Sequence, residues 1–223
     1  MDELASLIGR AHADMRDYQR RLQRNPASAQ ITLAELPHAL VPTHVVTRDL
    51  PRVLDELLEA GDAPRVMYRL GYLIGRTQAA AFFRDAAIDT TDLLYRVLAG
   101  PFHLAWAGYG DVDLLVLEPH LDDRFALLWE SDHSCSAREA ADEQYRTRAC
   151  HVQAGYSAGW CTEATQLPLE TRELACRAEG FEHCRFLIGD TDRMQSQLLE
   201  PRFHKPTARY AVRPVRIDAS VPG

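Results

Sequence analysis

Residues 1–24 carry an apolar seam at Leu4, Ile8, Ala11, Met15, Tyr18 and Leu22, spaced by three and four, with charged residues at most other positions. This heptad pattern predicts one helix, stopped at Asn25-Pro26. The seam fits two arrangements, packing on its own domain or self-association, and a homodimer through this end is the expectation carried forward. Short β-type runs follow at Ile31–Leu33 and at residues 44–47, broken by Pro37 and Pro42, and read as edge strands or extended arms. Asp49 is placed to cap a helix from Leu50 to Ala60, ended by Gly61. A longer helix runs from Asp62 and Pro64 to about Asp85, with Val66, Leu70, Leu73, Ile74 and Phe82 as its core face. Gly71 and Gly75 on this helix permit close approach of a second helix.

A short helix is predicted from Thr90 to Ala99, ending at Gly100-Pro101. The period then shifts towards two: Asp111–Leu117 and Arg124–Trp129 read as strands. A long helix follows from Ser136 to about Thr165, capped by Ser134 or Ser136, with Cys150 and Gly155 inside it. Thr171–Cys176 and Cys184–Ile188 read as a hairpin. After Gly189 the chain turns polar and is punctuated by proline, which predicts a partly helical linker and a loose tail. One pattern recurs: Gly71-Tyr72-x-x-Gly75 and Gly155-Tyr156-x-x-Gly159, each on a predicted helix. Glycine inside a helix costs about 1 kcal/mol relative to alanine, so two such pairs point to tight helix packing.

The predicted fold class is α/β (α+β): a small sheet flanked by helices. Three regions are expected: an N-terminal helix and arm (1–49), a main domain (50–190) and a linker with tail (191–223). The 223 residues, 46% hydrophobic and 26% charged, support a real core and a soluble surface. A net charge of −7 argues against direct nucleic-acid binding, which needs concentrated Lys and Arg. No apolar run is long enough to span a bilayer, and the acidic start MDELAS is not a signal peptide. With five cysteines, an odd number, reduced thiols and a cytoplasmic location are expected.

Four of those cysteines, at 150, 161, 176 and 184, fall within 35 residues, with Glu173 just ahead of Cys176. A hairpin brings Cys176 and Cys184 to one point that Glu173 also reaches. Cys150 or Cys161 supplies a fourth donor from the preceding helix, and His151 and His183 are further candidates. Four protein ligands would close a tetrahedral zinc site and make it structural. There is no Cys-x-x-Cys, and spacing alone equally permits ordinary buried thiols. Phe102, His103, Trp106, Trp129, Tyr156 and Trp160 are candidates for an apolar pocket with a few polar groups. For each of them a plain core role is the competing reading.

The segment from Gly155-Tyr156-x-x-Gly159 to Glu173-x-x-Cys176-x-x-x-Gly180-x-x-x-Cys184 resembles the 4-vinyl-reductase domain family. Within it, the segment is most similar to the N-terminal sensor domains of XylR/DmpR-type activators of aromatic catabolism. The resemblance runs from about residue 50 to 190. It implies a zinc ion held by Cys150, Glu173, Cys176 and Cys184, with Cys161 outside the site. It also implies an aromatic effector bonded by a histidine and by Trp129. The family's histidine follows Gly-Pro-x-Leu, whereas here Gly100-Pro101-Phe102 leads to His103 one residue early. A one-residue displacement turns a side chain about 100° on a helix.

The resemblance further implies a non-enzymatic sensor that controls an output domain, an AAA+ ATPase in sigma-54-dependent activators, expected outside this chain. No phosphate-binding Gly-x-x-x-x-Gly-Lys-Ser/Thr loop is present. The alternative is a stand-alone interaction or accessory module for a lipid-like or tetrapyrrole-related ligand.

Overall fold

The computed structural model describes residues 2–85, 87–118, 120, 122–142, 147–204 and 210–212. Helix α1 (Asp2–Gln19) leads into an antiparallel three-stranded sheet of β1 (Leu22–Asn25), β2 (Gln30–Leu33) and β3 (Leu36–His38). The predicted first helix therefore ends early, and residues 22–25 form a strand instead. Leu22 pairs with Leu33, which is fully buried, so packing draws Leu22 out of the helix. Asn25 makes the turn, its Oδ1 accepting from the backbone N–H groups of Ala27 and Ser28. The rest of the seam lies on the chain's own helix α4 (Leu93–Trp106): Ala11, Met15 and Tyr18 are buried, and the Tyr95 hydroxyl donates to Asp14 at 2.8 Å.

Residues 44–47, expected as a strand, instead enter a turn of wide helix at Val45–Asp49 that runs into α2 (Leu50–Leu57). Asp49 is itself helical and makes no side-chain cap. Helix α3 (Asp62–Phe83) buries Ala63, Met67, Gly71, Gly75, Ala79 and Phe82, while Val66 and Leu73, expected in the core, are exposed. The reason is its partner, α6 (His151–Thr165). A methyl group built on Gly71 or Gly75 would collide with the backbone of Val152 or Tyr156, and one on Gly155 or Gly159 with that of Tyr68 or Tyr72. The two Gly-Tyr-x-x-Gly segments thus face each other in reciprocal register, and only small residues fit between the helices.

Helix α4 runs through Gly100-Pro101 to Trp106, where the sequence predicts an end. Asp92 caps it, accepting from the N–H groups of Leu94 and Tyr95. Pro101 forgoes one backbone bond, but the helix is buried along most of its length, and packing outweighs that loss. Gly100 serves contact, since a Cβ there would strike the Trp160 ring.

The main sheet has five antiparallel strands in the order β6 (Leu169–Ala175), β7 (Cys184–Asp190), β5 (Ala126–Ser131), β4 (Val112–Glu118), β8 (Tyr210–Val212). Leu127, Trp129, Phe186 and Ile188 join the helical core. Alternate residues Ala126, Leu128 and Leu187 meet Met194 and Phe203 on the other face. These come from the short helices α7 (Met194–Gln197) and α8 (Pro201–His204), which give the expected helical character after Gly189. The end of the expected tail, residues 213–223, lies outside the described residues. The predicted long helix from Ser136 to Thr165 is two elements, α5 (Cys135–Asp142) and α6, with Cys150 as the N-cap of the second.

Candidate metal centre and aromatic pocket

Cys150, Glu173, Cys176 and Cys184 bring one donor atom each to within 4.8 Å of one another. Among the described residues no other group of three or more His, Cys, Asp or Glu converges in this way. Each arrives from a different place: Cys150 at the start of α6, Glu173 near the end of β6, Cys176 at its exit and Cys184 opening β7. The three thiols are fully buried and Glu173 nearly so. Sulfur atoms of Cys150 and Cys184 lie 3.6 Å apart, and those of Cys150 and Cys176 3.9 Å.

The surroundings hold this geometry. The break before α6 lets Arg148 donate to the Glu173 carbonyl at 2.6 Å and pair with Glu179. The Ser134 hydroxyl lies 3.0 Å from Cys150 Sγ, and the Arg177 N–H donates to Cys184 Sγ at 3.4 Å. Gln153 ties the same corner together, donating to the Tyr109 carbonyl and Ser134 Oγ and accepting from Ser136. Arg148 and Gln153 carry no motif that would mark them in the sequence.

Electrostatically the cluster calls for a cation. Burial pushes the Glu173 carboxyl up to about 9 and the Cys150 thiol well above its ordinary value. Hydrogen bonds from Cys150 and Cys176 hold Cys184 down at about 4. Both Glu173 carboxylate oxygens are buried without a hydrogen-bond partner. Four deprotonatable donors with an orphaned carboxylate fit a metal ion bound by three thiolates and one oxygen. The other candidates stand apart: His183 bonds Asp132 at 2.6 Å, and Cys161 faces the pocket described next.

A narrow cavity of about 20 Å³, room for little more than one water, lies between α4, α6 and the sheet. Trp129, Tyr156 and Trp160 line it with Leu104, Leu127 and Ile188. Trp129 stacks on Phe186 with ring centroids 4.1 Å apart, and the Trp160 indole N–H donates to the Arg96 carbonyl at 2.9 Å. His103, Phe102 and Trp106 do not line this cavity. His103 is fully buried behind Tyr156, whose hydroxyl lies 2.8 Å from its Nδ1. Trp106 packs edge-on against His103, and Phe102 stacks on His12. The six pocket candidates thus divide into three that wall the cavity and three that support it from α4.

A search of curated proteins gave no match. Among solved structures, the chain is similar to the phenol-responsive sensory domain of the transcription activator PoxR, solved with phenol. The TM-score is 0.73 at 19% identity, covering 87% of this chain and 96% of that one. The family model of the 4-vinyl-reductase domain matches residues 129–190, a stretch that begins at Trp129 and contains all four clustered donors. The segment that carries this metal-ligand cluster is of the 4-vinyl-reductase domain type, set in a fold shared with that sensory domain.

Proposed function

We propose that this chain is a sensor module that binds a small hydrophobic, aromatic effector and passes the event to an output domain. The observation that carries the reading is the aromatic lining of Trp129, Tyr156 and Trp160, carried by α6, which Cys150 caps, and by β5, which pairs with the strand that Cys184 opens. The fold shared with a phenol-responsive sensory domain supports a phenol- or alkylbenzene-like effector. Zinc is the metal that best suits three thiolates and a carboxylate in a buried site. Bound by four protein ligands it keeps no open position, so its work is structural, tying the β6–β7 hairpin to α6 over the cavity. The module itself is non-enzymatic.

In this reading the protein acts in the cytoplasm as a homodimer and controls an AAA+ ATPase of the sigma-54-dependent activator type. The effector shifts the balance between two arrangements by no more than its difference in affinity for them. Among the described residues no helix is long and apolar enough to cross a membrane. The test combines metal analysis with a thermal-shift panel of phenols, alkylbenzenes, biphenyls and fatty acids. Bound zinc together with stabilisation by aromatics is the expected result. Protein that is free of zinc without chelator treatment, or that only fatty acids stabilise, would overturn it.

A further inference from the structure

The Ser134 hydroxyl, buried beside Cys150, has its bonding fixed by its neighbours. A serine oxygen offers one hydrogen and two lone pairs. The Ala137 N–H donates to it at 3.4 Å, capping α5, and the Gln153 side-chain amide donates to it at 3.2 Å. Both lone pairs are then taken. The hydrogen is left for the remaining neighbour, Cys150 Sγ, at 3.0 Å. A sulfur bound to a metal is deprotonated, so it can only accept.

Gln153 sets the direction of this chain of bonds. The Tyr109 carbonyl, which only accepts, lies 3.3 Å from Gln153 Nε2, so the amide turns its NH₂ end to this corner. At its other end Oε1 accepts from the Ser136 hydroxyl at 3.0 Å. Gln153 and both serines are buried, which leaves bulk water no part in the arrangement. Across the cluster the Arg177 N–H donates to Cys184 Sγ at 3.4 Å. A divalent ion held by three thiolates and a carboxylate makes a centre that is anionic overall, and burying such a centre calls for donors around it.

We propose that Ser134, oriented by Gln153, is a positioning residue of the metal centre. Its hydroxyl donates to the metal-bound sulfur of Cys150, draws charge off that sulfur and holds it in place on the ion. This inference rests on the metal-binding reading above and goes beyond the four ligands. The same oxygen accepts from the first turn of α5 and donates to the residue that opens α6, so the two helices meet at the ion.

The test compares the full chain with its Ser134→Ala and Ser136→Ala variants. Zinc affinity, read by competition with a chelator, should fall about tenfold or more in Ser134→Ala. Ser136→Ala removes a hydroxyl of the same corner that does not reach the sulfur, and should stay within about twofold of the wild type. Loss of a helix cap or of packing leaves the sulfur-to-metal charge-transfer band of cobalt-loaded protein where it is. Loss of a hydrogen bond at the sulfur should move that band to lower energy in Ser134→Ala. An unmoved band, or zinc binding weakened equally in both variants, would overturn the proposal. Should Ser134→Ala prove insoluble, NMR of the cadmium-loaded wild type decides. The Ser134 hydroxyl proton should exchange slowly and couple to the metal through Cys150, as the Arg177 amide proton should through Cys184. Coupling to Arg177 without coupling to Ser134 would overturn the proposal while the metal reading survives. If the wild type binds none of zinc, cobalt and cadmium, both fall.

Discussion

The Tyr156 hydroxyl and Nδ1 of His103 meet at 2.8 Å in the middle of the protein, joining α6 to α4. His103 is fully buried, and desolvation holds its pKa near 3 against an ordinary 6.5. The unfolded chain therefore binds one more proton than the folded chain between those two values. Stability from this group is complete above about pH 6.5 and is lost progressively as the pH falls towards 3, up to about 5 kcal/mol in all. Denaturant unfolding in excess zinc should show roughly 2 kcal/mol of this loss by pH 5 in the wild type. His103→Phe should flatten that slope, and an unchanged slope would mean that the histidine is not held neutral.

The reciprocal glycines make a second quantity measurable. Gly155→Ala places a methyl group against the Tyr68 backbone, which belongs to a long helix and yields little. The expected cost is about 1–3 kcal/mol. In a chain of this size that lowers the melting temperature by roughly 2–12 °C in circular-dichroism melts. Gly9→Ala, where nothing lies within 4 Å of an added Cβ, is the control and should be neutral or slightly stabilising.

Metal removal should behave as unfolding. Purified without chelators, the protein is expected to carry about one equivalent of zinc by mass spectrometry. Cys176→Ser should lose the metal and accumulate as insoluble chain, because metal binding contributes folding free energy. The ligands must be deprotonated to bind, so zinc affinity should fall as the pH falls. A soluble Cys176→Ser variant with the wild-type melting temperature would remove the site's structural role.

Trp129 separates the pocket from the metal centre. Trp129→Ala removes a cavity wall and the stack on Phe186, a destabilisation of about 3–5 kcal/mol. Aromatic binding, read by titration calorimetry, should vanish while the zinc content stays at the wild-type level. Retained affinity for phenols would take Trp129 out of the effector site.

The Cys-rich stretch is the most legible part of the sequence. Glu173, Cys176 and Cys184 sit on a short hairpin, where local spacing largely dictates geometry, and the strands fall within a few residues of their expected places. Gly71, Gly75, Gly155 and Gly159 likewise announce a close helix pair, since glycine in mid-helix has few other uses. His38 carries no motif at all, and only the folded chain shows its Nε2 buried without a partner.

The sequence by itself determined the hairpin that carries Glu173, Cys176 and Cys184 and the small residues where two helices must touch, and left Cys150 and Cys161 as alternatives for the fourth donor. Tertiary structure alone decided which faces became core. It exposed Val66 and Leu73 because α6 demands the small-residue face of α3, and it carried α4 through Gly100-Pro101 because a buried helix recovers in packing what proline removes. It also broke the helix before Cys150, turning that thiol towards Cys176 and Cys184. Local propensities amount to roughly 1 kcal/mol per residue, whereas burial of one large side chain is worth about 1.5–3 kcal/mol. Where the two conflicted, burial prevailed.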